Sequence, residues 1–345
     1  LLIASLVRVR GHNLRELSDA LTEADRKWAG ELKALEPELS LAQRAELPDW
    51  VVEALQAGGM DDDTLLTLGR AMQHPAPLDL RVNTLKTRRE DALAALQAAG
   101  ISAEATPLSP FGLRVKGKPA LTKMPLFTSG QIEVQDEGSQ LLGLLLAPRR
   151  GEMVVDFCAG AGGKTLLLGA MMASTGRLYA FDISEKRLAN LKPRLARSGL
   201  SNVHPQLLAS ENDSRIKRLA GKIDRVLVDA PCSGLGTLRR NPDLKLRQSP
   251  DSVAQLNATQ ASILNAAASL VKPGGRLVYA TCSLLPAEND AIVDAFLASH
   301  PEFSLLNAEA LLAEQRVQLA TGERLRLNPA RDNTDGFFAV ALTRT

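Results

Sequence analysis

Apolar residues recur along the chain in three regimes. Over residues 1–75 the spacing is helical: Leu14, Leu17, Leu21, Trp28, Leu32 and Leu35 lie three, four or seven apart and form one stripe. Asn13 with Glu16 matches a capping box at the start of that helix, and Pro37 ends it. A second helix is predicted from Pro48 through Trp50, Val51 and Leu55 to Gly58-Gly59, and a third after Asp61-Asp62-Asp63. This stretch reads as a helical packing region without chemistry of its own.

Pro75-Ala76-Pro77 breaks the helical spacing, and Leu78, Leu80 and Val82 then alternate as a strand. Thr87-Arg88-Arg89-Glu90 matches the capping-box pattern ahead of a helix over Ala92–Ala99 that stops at Gly100. Short strands follow near Ser102–Thr106 and Gly112–Val115. Residues 76–125 therefore read as a small α+β module.

From 126 to 345 strands and helices alternate. Strands are predicted at Gln131–Val134, Val154–Asp156, Leu178–Phe181, Val203–Leu208, Ile223–Val228, Arg276–Ala280 and Gly336–Leu342. Helices are predicted after the glycine turn at 160–163 and at Asp136–Leu146, Glu185–Ser198, Val253–Leu270 and Ala287–Ser299. This is the pattern of a mostly parallel, doubly wound α/β sheet.

Composition narrows the classes. The chain has 345 residues, a net charge of +2 from 41 basic and 39 acidic residues, and 3% aromatics. Any nucleic-acid surface must then be a local patch, and base stacking on aromatic platforms is not the main mode of binding. Arg81, Lys86, Arg88, Arg89, Arg114, Lys116 and Lys118 make the small module basic, as a phosphate-contacting cluster would be. No run approaches the ~20 apolar residues of a membrane span, so no membrane role is expected. Leu1–Val7 is apolar but short and lacks a basic stretch before it, so it does not read as a signal peptide. A start without Met is compatible with a fragment. The three cysteines, Cys158, Cys232 and Cys282, lack Cys-x-x-Cys spacing and have no His beside them. That argues against a disulfide framework and against a zinc site; no metal is expected, and a reducing, cytoplasmic setting is.

The chemistry begins at Val154–Ala170. An apolar strand reaches Asp156, Gly160-Ala161-Gly162-Gly163 turns, and Lys164-Thr165 leads into a helix. Glycines let the backbone approach a ligand, and the helix start offers free N–H groups. A P-loop would need Gly at 158, which is Cys158. A dinucleotide fingerprint would need Gly at 165, which is Thr165. An S-adenosylmethionine (SAM) site needs an acid at the end of the second strand for the ribose hydroxyls, and Asp182 stands there. The turn alone leaves a dinucleotide and SAM level.

The rest of the chain decides between them, beginning with the thiols, whose placement favours a reactive site. All three follow a predicted strand, where open α/β sheets bind ligands, and two lie in Pro-Cys-Ser and Thr-Cys-Ser. Asp229-Ala-Pro-Cys-Ser-Gly together with Ala280-Thr-Cys-Ser-Leu-Leu-Pro-Ala-Glu-Asn resembles the RNA 5-methylcytosine methyltransferases of the Nop2/Sun family. Leu80-Arg-Val-Asn, Val134-Gln-Asp-Glu-Gly-Ser and Arg240-Asn-Pro-Asp-Leu-Lys fit the same family. Pro48-Asp-Trp with Gly336-Phe-Phe points within it to the branch acting on small-subunit ribosomal RNA. The resemblance covers residues 46–345. Ala161 stands where the family's turn has Pro, and the helical region before the module is short.

The resemblance implies a Rossmann-like SAM-dependent methyltransferase domain preceded by a small α+β module and a helical region, working as a monomer. It makes Cys282 the thiol that attacks carbon 6 of cytosine and Cys232 the residue that assists release. It places Asp229 against the base and beside the methyl donor. Carbon 5 is a poor nucleophile until a thiolate has added to carbon 6, so covalent catalysis explains the need for a cysteine. A free thiol has a pKa of ~8.5, so the site must favour the thiolate, and a nearby sulfonium would help. The implied SAM contacts are Cys158, Ala159, Gly160, Ala161, Gly162, Gly163, Lys164, Asp182, Asp213 and Asp229; for Asp182 the fold logic says the same. Arg239, Arg240, Lys245 and Arg247, just past Cys232, are expected to hold RNA phosphates. The cytosine must leave its stack to reach a thiol, so a single-stranded or flipped target is expected.

Four other readings make different forecasts. A DNA cytosine-5 methyltransferase would use Cys232 as nucleophile, but its Glu-Asn-Val motif is absent. An adenine-N6 enzyme would carry Asn/Asp-Pro-Pro-Tyr rather than Asp229-Ala-Pro-Cys. An NTPase would bind ATP at Lys164. A non-catalytic RNA-binding assembly factor would not need both thiols. Within the family, transfer RNA is the alternative substrate.

Overall fold

The computed structural model describes residues 2–9, 11–35 and 38–345, and the chain divides into two compact units, Leu1–Arg44 and Ala45–Thr345. In the first unit the stripe does not form one helix from Asn13. Residues after Asn13 turn, a short 3-10 helix covers Ser18–Ala20, and the α-helix runs Glu23–Ala34. The capping box that starts it is Thr22 with Asp25, each side chain taking the other's backbone N–H. Asn13 N donates to Glu16 Oε2 at 3.3 Å and Glu16 N to Asn13 O at 3.0 Å, closing a turn rather than starting a helix, and the stop expected at Pro37 lies outside the described residues.

The second unit opens with helices Asp49–Ala57 and Asp62–Met72, the latter capped by Asp61 accepting from Thr64 N. Strands β1 (Leu78–Val82), β2 (Ala103–Ala105), β3 (Gly112–Val115) and β4 (Ile132–Val134) follow. They pair antiparallel in the order β2-β3-β1-β4, with helix Arg89–Ala98 against them. Leu80, Val82, Leu96, Leu113 and Ile132 close this small core. The cap expected from Thr87 is absent: Arg88 takes the cap position and makes no side-chain bond there.

The large sheet is built from β5 (Met153–Asp156), β6 (Arg177–Asp182), β7 (Val203–Leu207), β8 (Ile223–Asp229), β9 (Val271–Thr281), β10 (Phe303–Leu306), β11 (Arg324–Leu327) and β12 (Phe337–Arg344). Its order is β10-β12-β9-β8-β5-β6-β7. β5 to β9 are parallel, while β12 runs antiparallel to β9, pairing its first half with β11 and its second with β10 on the far edge. The expected α/β fold with a mostly parallel sheet is what forms.

Side chains along each strand alternate between the two faces, and helices cover both. Val154, Leu227, Val278 and Ala339 pack with helices Glu137–Leu146 and Gly163–Met171. Val155, Val226, Tyr279 and Phe338 pack with helices Pro250–Leu270 and Asp290–Ser299. Each fully buried Leu or Val contributes roughly 1.5–3 kcal/mol, which is why these strands read as near-continuous apolar runs. Pro273-Gly274-Gly275 lies inside β9, ahead of the strand start expected at Arg276. Gly274 at φ +73° and the shifted register opposite Ile223 and Arg225 mark a bulge there. Among the described residues no helix is long and apolar enough to cross a membrane, and no three His, Cys, Asp or Glu side chains gather as a metal site.

Candidate active site

The sheet order reverses between β5 and β8, and in open α/β sheets ligands bind beyond the strand ends at such a point. A cleft of about 790 Å³ opens there. Cys158, Ala159, Gly160, Ala161, Gly163, Lys164, Asp182, Asp229 and Cys232 all line it, so the structure brings together most of what the sequence singled out.

The turn after β5 is shaped by two left-handed glycines. Gly162, at φ +84°, caps helix Gly163–Met171 and faces inward, where a Cβ would stand 2.1 Å from Leu191 Cδ1. Gly160, at φ +56°, has open space where a Cβ would point, as a turn facing a ligand requires. Asp182, at the end of β6, holds the turn. Its carboxylate accepts from Gly160 N at 2.8 Å and from Ser184 N at 2.7 Å. Ile183, 70% exposed, and Leu208 add apolar wall beside it.

Asp156 lines the cleft from β5. One oxygen accepts from Thr165 Oγ1 at 2.7 Å; the other is buried without a partner. Burial pushes this carboxyl up to about 7, and nearby Asp229 adds to the rise. Burial, then the charge of Asp156, holds the Cys158 thiol well above its ordinary range. Lys164 donates to Asp229 Oδ2 at 2.7 Å. Burial alone would lower the ammonium, but the charge and hydrogen bond of Asp229 hold it above its ordinary range.

Cys232 follows β8 and Cys282 follows β9, adjacent parallel strands, so the two thiols meet with Sγ–Sγ 3.1 Å apart. The hydrogen bond to Cys282, then burial, pushes the Cys232 thiol far up. Cys282 does not line the cleft itself; it lies against Cys232, which does.

Several expected contacts fall elsewhere. Asp213 caps helix Ser214–Leu219, accepting from Arg215 N at 2.9 Å and Ala209 N at 3.1 Å, and is not on the cleft wall; Glu211 is. Arg239 is turned inward, while Arg240 stays at the surface with its guanidinium committed to two carboxylates. Arg239 donates to Asn333 Oδ1 and Thr334 O, and Arg240 to Asp335 Oδ2 at 2.6 Å and Asp136 Oδ2 at 3.0 Å. Lys245 reaches Glu46, and Arg247, with 65% of its side chain exposed, pairs with Asp243 at the start of its own short helix. In the small module Arg81 is buried and donates to Gln135 Oε1 at 2.6 Å, while Arg114 pairs with Asp79 at 2.7 Å. Arg88, Lys116 and Lys118 remain at the surface.

Residues without an assigned role also enter the site. Val134, Gln135 and Ser139 bring the end of the small module's sheet and the following helix to the cleft. Arg194 donates to Ala161 O at 2.8 Å and to Glu133 Oε2 at 3.0 Å, tying the glycine turn to β4. The helical spacing of Glu185–Ser198 marks Arg194 only as a polar-face residue, so nothing local pointed to it.

If Asp182 bears a ligand's ribose, Asp182→Ala should weaken SAM by on the order of 1–3 kcal/mol for the lost hydrogen bonds. Titration calorimetry with the wild type beside it checks this; equal affinities would remove Asp182 from the site.

Comparison with known proteins adds a family. Residues 143–343 match the family described as 16S rRNA methyltransferase RsmB/F, and residues 47–122 match the ferredoxin-like domain of RsmF/B-like methyltransferases. A probable ribosomal RNA small subunit methyltransferase B of Synechocystis sp. is 36% identical over 310 residues, 89% of this chain and 68% of that protein. The protein of the same description in Bacillus subtilis is 33% identical over 350 residues, 98% of this chain and 76% of that protein. The crystal structure of a methyltransferase homolog from Pyrococcus horikoshii has a TM-score of 0.71 at 28% identity, covering 87% of this chain and 100% of that one.

Proposed function

Because the chain belongs to the RsmB/F family of 16S rRNA methyltransferases, we propose that it methylates carbon 5 of a cytidine in small-subunit ribosomal RNA, with SAM as methyl donor and a transient bond to Cys282. The observation that carries the chemical part is the thiol pair: Cys232 and Cys282 at 3.1 Å, with Cys232 on the wall of the cleft.

The cleft suits SAM on its own residues. Asp182 offers a carboxylate to ribose hydroxyls, Ile183 and Leu208 offer apolar wall to the base, and the unpartnered oxygen of Asp156 is an acceptor for a cationic ammonium. When bound, SAM supplies a methyl group on a sulfonium. Cys282 attacks carbon 6 of the cytosine, forming an Sγ–C6 bond and raising electron density at carbon 5, which then takes the methyl. A base removes the carbon 5 proton, the C5–C6 double bond re-forms, and the sulfur leaves as the Cys282 thiolate. Cys232, its sulfur 3.1 Å from that of Cys282, assists that departure. Asp229, fixed by Lys164, faces the cleft where the base must sit. A binding factor without catalysis would have no use for two opposed thiols beside such a cleft.

The test is direct. Unmodified transcripts of 16S ribosomal RNA and of transfer RNA are incubated with the protein and methyl-labelled SAM, and the nucleosides are resolved by mass spectrometry. Label in 5-methylcytidine of the 16S transcript is expected. Label only in transfer RNA, in another nucleoside, or in neither RNA overturns the proposal.

A further inference from the structure

A buried carboxylate joins the two thiol loops. Glu288 is fully buried, and four neutral donors converge on it. Ser233 N at 2.8 Å and Gln260 Nε2 at 3.0 Å reach one oxygen; Ser233 Oγ at 2.5 Å and Ser283 Oγ reach the other. Ser233 directly follows Cys232, and Ser283 directly follows Cys282. Their hydroxyls lie 3.1 Å from each other, the same separation as the thiols beside them. Burying a carboxylate without a cation is costly unless its oxygens are hydrogen-bonded, and here each accepts two. Glu288 itself is held by the Tyr279 hydroxyl, which donates to its backbone carbonyl at 2.7 Å.

The two loops depend on Glu288 unequally. Cys282 follows directly on β9, whose pairing with β12 extends to Thr281. Beyond that, Thr281 Oγ1 bonds Asn289 Oδ1 at 2.5 Å, and Asn289 Nδ2 bonds Ser283 O at 3.1 Å, so this loop has ties that bypass Glu288. Cys232 lies in a segment without regular structure between β8 and the 3-10 turn at Leu235. Both donors of Ser233 end on Glu288. The segment's other anchors are Ala230 N to Ala280 O at its start, Gln260 to Pro231 O, Gln248 to Ser233 O, and Gly236 N to Cys282 O in the 3-10 turn that follows. Gln260 also donates to Glu288, so one of these four leans on the same carboxylate, and none of the others but Gln248 holds Ser233 itself.

We infer that Glu288 is the positioning residue that holds Cys232 in register with Cys282, so that losing it impairs release of the methylated base more than attack on it. The inference rests on the reading that Cys282 attacks and Cys232 assists release. In Glu288→Ala the Cys282 loop keeps its own ties, so the Sγ–C6 bond still forms and carbon 5 is still methylated. With Cys232 out of place, elimination slows: the Sγ–C6 bond persists although the carbon 5 proton has an acceptor. The variant then behaves as a partial copy of Cys232→Ala. Glu288→Gln keeps the size, one acceptor oxygen for Ser233 N and Gln260, and an amide that donates to the two hydroxyls, which can rotate to accept. It should restore release.

Each variant is incubated with unmodified 16S transcript and SAM, turnover is measured, and covalent protein–RNA species are resolved on denaturing gels with nuclease controls. Glu288→Ala is expected to lose turnover by roughly tenfold to a hundredfold, as displacement of a catalytic group does, while adduct accumulates above the wild type. Glu288→Gln should return most of the turnover and clear the adduct. Ser233→Ala, which removes one of the two Ser233 bonds, should accumulate adduct to a smaller extent, and it carries the test should Glu288→Ala not fold. Loss of turnover in both Glu288→Ala and Ser233→Ala without adduct would make Glu288 a support of the fold only and overturn the inference. So would a Glu288→Gln variant as impaired as Glu288→Ala. Cys232→Ala separates the two levels. If it traps no adduct, the assignment of the thiols fails and the inference with it; if it traps adduct and the Glu288 and Ser233 variants do not, only the role of Glu288 fails.

Discussion

Cys282→Ala is expected to abolish methyl transfer and leave no covalent RNA species, whereas Cys232→Ala should methylate once and stall as a protein–RNA adduct. The loss in Cys282→Ala should span several orders of magnitude, as removal of a covalent nucleophile does. The stalled species should run as a heavier band on a denaturing gel and disappear on nuclease treatment. The asymmetry follows from the assigned roles. Cys282 forms the bond to carbon 6, while Cys232, its sulfur 3.1 Å away, only assists that sulfur's departure. A DNA-type assignment forecasts the reverse, with adduct in Cys282→Ala and none in Cys232→Ala. A merely structural pair forecasts adduct in neither and a lower melting temperature in both. Gels and melting curves on the same two variants therefore separate the three readings, and adduct in Cys282→Ala would overturn ours.

The thiols, the glycine turn and Asp182 were legible in the sequence because each sits at the end of an apolar strand, and the sheet's topology carries strand ends to one place. Their local sequence contains the reason for their position. Asp213 and Glu211 show the opposite case. Both are acids in one short loop after β7, and only the helix start at Ser214 decides that Asp213 caps it while Glu211 turns to the cleft. β10 and β11 were missed because each has four residues and gains its pairing from β12, not from a pattern of its own. Glu288 stood inside a quoted motif yet had no visible task, since its partners Ser233 and Gln260 come from elements 55 and 28 residues away. The basic residues are ambiguous for the same reason. A run of Arg and Lys looks alike whether its counter-charges are phosphates or distant carboxylates.

Arg240 makes that last point testable, because its two roles forecast opposite results. Its guanidinium bridges Asp335 and Asp136 and also reaches Pro77 O, joining the loop after Cys232 to the loop before β12 and to the start of the small module. Arg240→Ala leaves two buried carboxylates facing each other. Breaking a buried pair costs about 3–5 kcal/mol. With 34% of the Arg240 side chain exposed, solvent screening lowers the expected loss to about 2–3 kcal/mol. The loss should depend on pH. Burial, then the charge of Asp136, raises Asp335 to about 6 even with Arg240 and Arg239 beside it. A carboxyl raised above its unfolded value of ~3.9 stabilises the fold below that pH and loses the contribution as pH rises through the folded value. Without Arg240 the folded value climbs further, so the penalty is carried mainly by the ionised form. Urea unfolding should show a small deficit at pH 5 and the full deficit at pH 8. RNA binding should keep its salt dependence, because a residue already committed to two carboxylates releases no phosphate counterions when removed. A phosphate contact would instead flatten the slope of log affinity against log salt by roughly 0.7–0.9. Wild-type stability combined with a flattened slope in Arg240→Ala would return this arginine to the RNA surface and leave Asp335 and Asp136 without the role assigned to them here.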